Sequence, residues 1–197
     1  MKKLSKSAIC VVLAVIFYFA ATEFMLELLA LGWHARHGMT AKLRGAGGKT
    51  YSVPVPMFWL ASVDDGGWVV SLSRKPQRIR ALLHDREWAL MSFSVAPTST
   101  ASEIRQTAPA LNSKLGLALN EVAAISVAGQ DLHCFEQKFE KGKAAELSRI
   151  YGAVDLRCVP ESDKRGFSAT YIGSSGLVPE FYRVLRGVTL GQTAEQH

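Results

Sequence analysis

VDLRCVPESDKRGFSATYIG, residues 154–173, is the stretch that decides the fold. Val154, Leu156 and Cys158 alternate with Asp155 and Arg157, the period-two pattern of a strand with one apolar face. Residues 160–166 gather a proline, a glycine and charged side chains, and residues 167–172 resume an apolar, aromatic run. Together they predict a β-hairpin.

Working outward, residues 88–95 (WALMSFSV) and 68–73 (WVVSLS) read as further strands. Asp64-Asp65-Gly66-Gly67 is a turn signal that parts the latter from the apolar residues 51–61, which Pro54 and Pro56 confine to a sheet edge or an extended entry. Residues 125–139 contain another strand with a bend at Gly129-Gln130-Asp131. Thr100 and Glu103 have capping-box spacing and predict a helix to about Val122, kinked or divided at Pro109, with Leu111, Leu115, Ala118, Leu119 and Val122 facing the core. Residues 77–84 suggest a short turn or strand, and residues 143–151 a short helix or turn closed by Gly152. Residues 179–185 (PEFYRVL) predict a helix with proline in its first turn, stopped by Gly187. The order is that of an α+β domain over residues 51–189, an antiparallel sheet with packed helices, followed by a disordered tail at 190–197.

Upstream lies a different kind of sequence. Residues 8–21 (AICVVLAVIFYFAA) carry no charge, follow a start containing Lys2, Lys3 and Lys6, and precede Glu23 and Glu27. Residues 1–31 are expected to form a transmembrane anchor that leaves the C-terminal domain outside the cytoplasm. A cleaved signal peptide is the rival reading, but Tyr18 or Phe19 would stand where cleavage needs a small side chain. Residues 32–50, basic and glycine-rich, read as a linker. Their end, Gly47-Gly48-Lys49-Thr50, imitates a phosphate loop, yet Leu43 occupies the position of its first glycine and no strand–loop–helix context surrounds it.

The rest of the chemistry is sparse. Cys134 shares strand parity with Leu132, and Cys158 with Leu156, so neighbouring strands would set the two thiols face to face as a disulfide in an oxidising compartment. His133 must then point to the opposite face. His34, His37, His84 and His133 have no recurring zinc spacing; Asp64 and Asp65 suit turn chemistry; Ser174-Ser175 lacks a nucleophile elbow. No catalytic residue, cofactor or metal site is expected. The chain carries a net charge of +6, and Arg74, Lys75, Arg78, Arg80 and Arg86 cluster as a candidate contact for anionic lipid headgroups. Nucleic acid is not expected as a partner, because no stacking pattern or binding motif accompanies the charge.

Over roughly residues 51–189 the element order resembles the PsbP-like domains. A proline-bearing strand (VPVPMFWL) is followed by strands and a helix, then by VAGQDLHCFEQ, the GFSATYIG hairpin arm and a short final helix, PEFYRVL. The resemblance implies an α/β/α sandwich and a non-catalytic accessory or binding role. The combined expectation is a membrane-held extracytoplasmic interaction subunit whose partners are the membrane and another envelope protein. The alternative is an envelope enzyme whose site is assembled from separate loops.

Overall fold

The computed structural model describes residues 6–45, 48–74, 87–95, 99–115, 119–138 and 154–191. A long helix, α1 (Lys6–His37), leads into strands β1 (Thr40–Arg44), β2 (Thr50–Pro54), β3 (Leu60–Val63), β4 (Val69–Arg74) and β5 (Ala89–Ser94). Helix α2 (Ala101–Leu115) follows, then β6 (Leu119–Val127), β7 (Gln130–Lys138), β8 (Val154–Pro160) and β9 (Ser168–Gly173). A 3-10 turn (Ser175–Leu177), helix α3 (Val178–Arg186) and β10 (Thr189–Gly191) complete the described chain. The protein is α+β. One antiparallel sheet has the order β3-β4-β5-β9-β8-β7-β6, and a smaller one the order β1-β2-β10.

The predicted hairpin is β8 and β9, with Leu156 opposite Tyr171. β9 also pairs β5 on its other side, Met91 opposite Tyr171. The main core lies between this sheet and a layer made of the small sheet and α3. Phe93, Phe167, Tyr171 and Phe181 meet there with ring centroids 5.5–6.4 Å apart. Leu43, Val53 and Leu185 close it from the second layer. On the opposite face, Ala101 and Ile104 of α2 pack on Phe135 and Val159.

Local signals explain several ends. The capping box forms: Thr100 N–H donates to Glu103 Oε2 at 3.1 Å, and Glu103 N–H to Thr100 Oγ1 at 3.3 Å. α3 begins with proline in its first turn and ends at Gly187. Ala128 and Gly129, at φ 51° and 79°, make a two-residue turn between β6 and β7, so the expected single strand over 125–139 is the inner part of a hairpin.

Other expectations change. The helix from Thr100 stops at Leu115, and Pro109 does not divide it. Leu119 and Val122 lie in β6, where pairing with β7 outweighs a helical spacing of apolar residues. Val122 falls at the register shift between Glu121 and Ala123 and is exposed rather than in the core. The expected linker at 32–50 holds the end of α1, all of β1 and the start of β2. Ala41 and Leu43 are buried while Lys42 and Arg44 point out, an alternation that the basic, glycine-rich composition conceals. Gly38, at φ 77°, stops α1 and donates its N–H to the His34 carbonyl at 2.8 Å. The expected tail contributes β10, which pairs β2. The expected elements at 77–84 and 143–151 and the tail beyond Gly191 lie outside the described residues.

The transmembrane anchor is corrected. The last turns of α1 belong to the domain: Ala30 is fully buried, Trp33 packs on the core, and His34 Nε2 lies 3.3 Å from the Pro56 carbonyl oxygen. Glu23 and Glu27 precede these turns, so the uninterrupted apolar run is only residues 8–21, about 21 Å of helix against a hydrocarbon core of roughly 30 Å. Among the described residues, no helix is long and apolar enough to cross a membrane.

Phe181 is fully buried where α3 meets β5 and β9. Phe181→Ala is expected to lower stability by about 3–5 kcal/mol, read as a fall in the urea midpoint without loss of the transition's cooperativity.

Candidate functional site

Two constellations stand back to back on β7. The first is the cysteine pair. β7 and β8 align Cys134 directly opposite Cys158, and the structure joins them, with S–S 2.05 Å and a sequence separation of 24. Both are fully buried among Leu132, Leu156 and the main core, as strand parity anticipated. Cys10 on α1 is exposed.

The second constellation uses the other face of the same strand. His133 sits beside Cys134 in sequence but points away from the main core, toward α2. Arg105 of α2 reaches over it and holds two carboxylates at once. Its Nε and Nη2 donate to Glu121 of β6 at 2.9 and 2.8 Å, and its Nη1 donates to both oxygens of Glu161, in the β8–β9 turn, at 2.8 and 2.9 Å. His133 fills the gap between the carboxylates, with Nδ1 2.8 Å from Glu121 and Nε2 3.1 Å from Glu161. The guanidinium lies 5.9 Å above the Phe135 ring. Beside it, Ser102 N–H donates to the Glu161 carbonyl, and Lys164 pairs with Glu103. The start of α2 is thereby fastened to β6, β7 and the β8–β9 turn.

The electrostatics follow from this geometry. Hydrogen bonds from Arg105, and then from His133, hold the Glu121 carboxyl down at about 2 against an ordinary 4.5. The same two carboxylates push the Arg105 guanidinium up. Lys164 and the Thr100 N–H lower Glu103. As chemistry, the cluster is closed on itself. The two ring nitrogens of His133 address carboxylates on opposite sides, so they cannot converge on one ion, and among the described residues no group of three His, Cys, Asp or Glu could hold a metal. It clamps a helix to a sheet.

The remaining expected residues have structural places. Asp64 Oδ1 accepts the Val69 N–H at 2.7 Å and shapes the β3–β4 turn. Ser174 Oγ accepts the Trp88 N–H at 3.0 Å, and its carbonyl accepts the Tyr171 hydroxyl. His34 and His37 bond backbone oxygens at the end of α1. Of the basic cluster, Arg74 pairs with Glu180 of α3 at 3.8 Å, while Lys75, Arg78, Arg80 and Arg86 lie outside the described residues. Sequence reasoning missed Arg105, Glu121 and Glu161. The two glutamates lie 16 and 56 residues beyond Arg105, separations no local motif spans; the only clue was that His133 had to face away from Cys134.

No family model, curated protein or solved structure matches this chain.

Glu121 titrates lower folded than unfolded, so its stabilising contribution is complete above about pH 4.5 and disappears as pH falls toward 2. The side chain is 37% exposed, which limits the effect to under about 1 kcal/mol. Glu121→Gln should flatten the acid limb of a stability–pH profile over that window and leave stability near pH 2 unchanged. Removing the bridge acts independently of pH: Cys134→Ala with Cys158→Ala is expected to cost about 3–4 kcal/mol in denaturant melts, the loop-closure value for a separation of 24.

Proposed function

We propose that this chain is a non-catalytic interaction module that works outside the cytoplasm, held at a membrane as an accessory subunit of an envelope complex. The observation that carries the reading is the surface of α1. Ile9, Val12, Leu13, Ile16, Phe17, Phe24, Leu28 and Leu29 are 47–75% exposed and lie on all sides of the helix. Its uninterrupted apolar run is too short to cross a bilayer, so this surface suits a shallow seat at a membrane or packing among other apolar helices.

The domain continues that surface where α1 lands. Met39, Met57 and Phe58 are 51–54% exposed beside the Pro56–His34 contact. Phe58 holds φ 68°, a conformation that costs a bulky side chain roughly 1–2 kcal/mol. An exposed phenylalanine kept in that state next to an apolar helix suits a surface that meets lipid or an apolar partner. The Cys134–Cys158 bridge supports an oxidising compartment. The element order that resembles PsbP-like domains, and a polar cluster spent on clamping, support binding rather than turnover.

The test is fractionation joined to thiol labelling. The full chain should float with membranes in a density gradient and be released by detergent but not by high salt. Maleimide applied to the denatured, unreduced chain should label Cys10 alone. Recovery of the intact chain in the supernatant, with three labelled thiols, would overturn both the compartment and the membrane association.

A further inference from the structure

The residues that imitate a phosphate loop do not vanish into a linker. Gly48, Lys49 and Thr50 line a cleft of about 440 Å³ between the β1–β2 and β3–β4 turns, together with Arg44, Gly66 and Trp68. Gly48, at φ 75°, belongs to a turn between two antiparallel strands, so this is not the strand–loop–helix cradle of a nucleotide-binding protein. It is a different arrangement of donors around an indole.

Glycines place both walls. A Cβ on Gly66 would stand 2.2 Å from Trp68 Cδ1, so the indole can lie where it does only because residue 66 has no side chain. Gly67, at φ 70°, accepts the Arg44 N–H at 2.6 Å through its carbonyl, and the Arg44 stem lies where a Cβ of residue 67 would be 3.3 Å away. The two turns are thereby laced together, with Arg44 and Trp68 both lining the cleft between them. Trp68 remains 45% exposed, a large apolar surface at the mouth. Among the described residues neither Arg44 nor Lys49 pairs with a carboxylate, a state that Arg44 shares with Arg36, Arg165 and Arg186 and that leaves both charges available at the cleft. The nearby Asp64 carboxylate is engaged by the Val69 N–H.

We infer that this cleft binds a small anionic ligand with a flat ring, its carboxylate or phosphate held by Arg44 and Lys49 and its ring lying against Trp68. Arg44 and Lys49 both line the cleft and bring two cationic donors to an anion, and the exposed indole supplies a stacking surface. The cleft sits at the far end of β1 from α1, about 14 Å along the strand. Its mouth is thus remote from the apolar end of the molecule, which favours a free ligand over a lipid headgroup.

The full chain in detergent would be titrated with phenyl phosphate, benzoate, inorganic phosphate and phenol while tryptophan fluorescence is followed. Phenyl phosphate or benzoate should give a saturable change that is lost in Trp68→Phe. The affinity should fall at least about tenfold in Arg44→Gln and in Lys49→Gln, both exposed changes that leave the melting temperature in place. Inorganic phosphate and phenol, each carrying half of the ligand, should bind at least tenfold more weakly. Absence of saturation with both ring anions, or equal affinity in the two charge variants and the parent, would overturn the inference. So would phenol binding as tightly as phenyl phosphate.

Discussion

The structure depends on β9 lying in the middle of the large sheet. On one side it pairs β5, the last strand of the β3-β4-β5 meander, and on the other β8, the last of the β6-β7-β8 group. Neither group touches the other along the sheet except through this strand. The pairing demands close approach: a Cβ on Gly173 would stand 2.4 Å from the Trp88 carbonyl oxygen, so only glycine fits that end of β9. Two residues earlier Tyr171 is fully buried, and its burial raises the phenol above its ordinary range. Its hydroxyl is spent on the Ser174 carbonyl, which sets the turn that launches α3. Phe181 then returns over Tyr171 and Phe93. The two sheet halves, the last helix and the main core are therefore consequences of one strand placed late in the chain, which makes the fold dominated by long-range pairing.

β7 divides the remaining work between its two faces. Cys134 faces the core and is bonded to β8; His133 faces outward and is wedged under Arg105. Covalent and electrostatic fastening thus occupy successive residues without competing, because adjacent strand positions point opposite ways. The two respond to different conditions. Reduction releases β7 from β8 and leaves the cluster's charges in place. Acid protonates Glu121, which holds Arg105, and leaves the sulfur bridge untouched. Of the two, acid acts on the seat of α2, which rests on a small apolar patch of Ala101, Ile104, Phe135 and Val159 rather than on the main core.

Legibility in the sequence followed the range of the interaction. The β8–β9 hairpin, the Thr100–Glu103 cap and the proline and glycine ends of α3 are local, and their residues announce them. The cysteine pair was legible at long range because two alternating strands each fixed a parity and two thiols shared it. Where a local pattern admitted two readings, tertiary pairing chose. Leu119 and Val122 fit a helical stripe, yet β7 offered β6 a partner along nearly its whole length. β1 was hidden by composition: four lysines and arginines and several glycines over residues 32–50 outweighed the two buried positions, Ala41 and Leu43, that make it a strand. The clamp around His133 was illegible because its four members come from four separate elements. The apolar start of the chain misled in a further way. Its apolar residues and flanking charges read as a span up to Leu31, while the structure commits the turns around Ala30, Trp33 and His34 to the domain and so shortens the run left over.

That commitment also changes how the two ends of the molecule are related. A glycine-rich linker would let the domain swivel, and would raise its local concentration near a partner without orienting it. Instead α1 runs without a break into residues packed on the core, and Gly38 turns it directly into β1 with only Met39 between. β1 then leads in five residues to Arg44 at the rim of the cleft. The first turns of α1 are consequently joined to the cleft through a helix, one turn and one strand, with no flexible segment between. A chain built in this way holds the cleft at a set distance from the apolar turns of α1 rather than on a flexible tether.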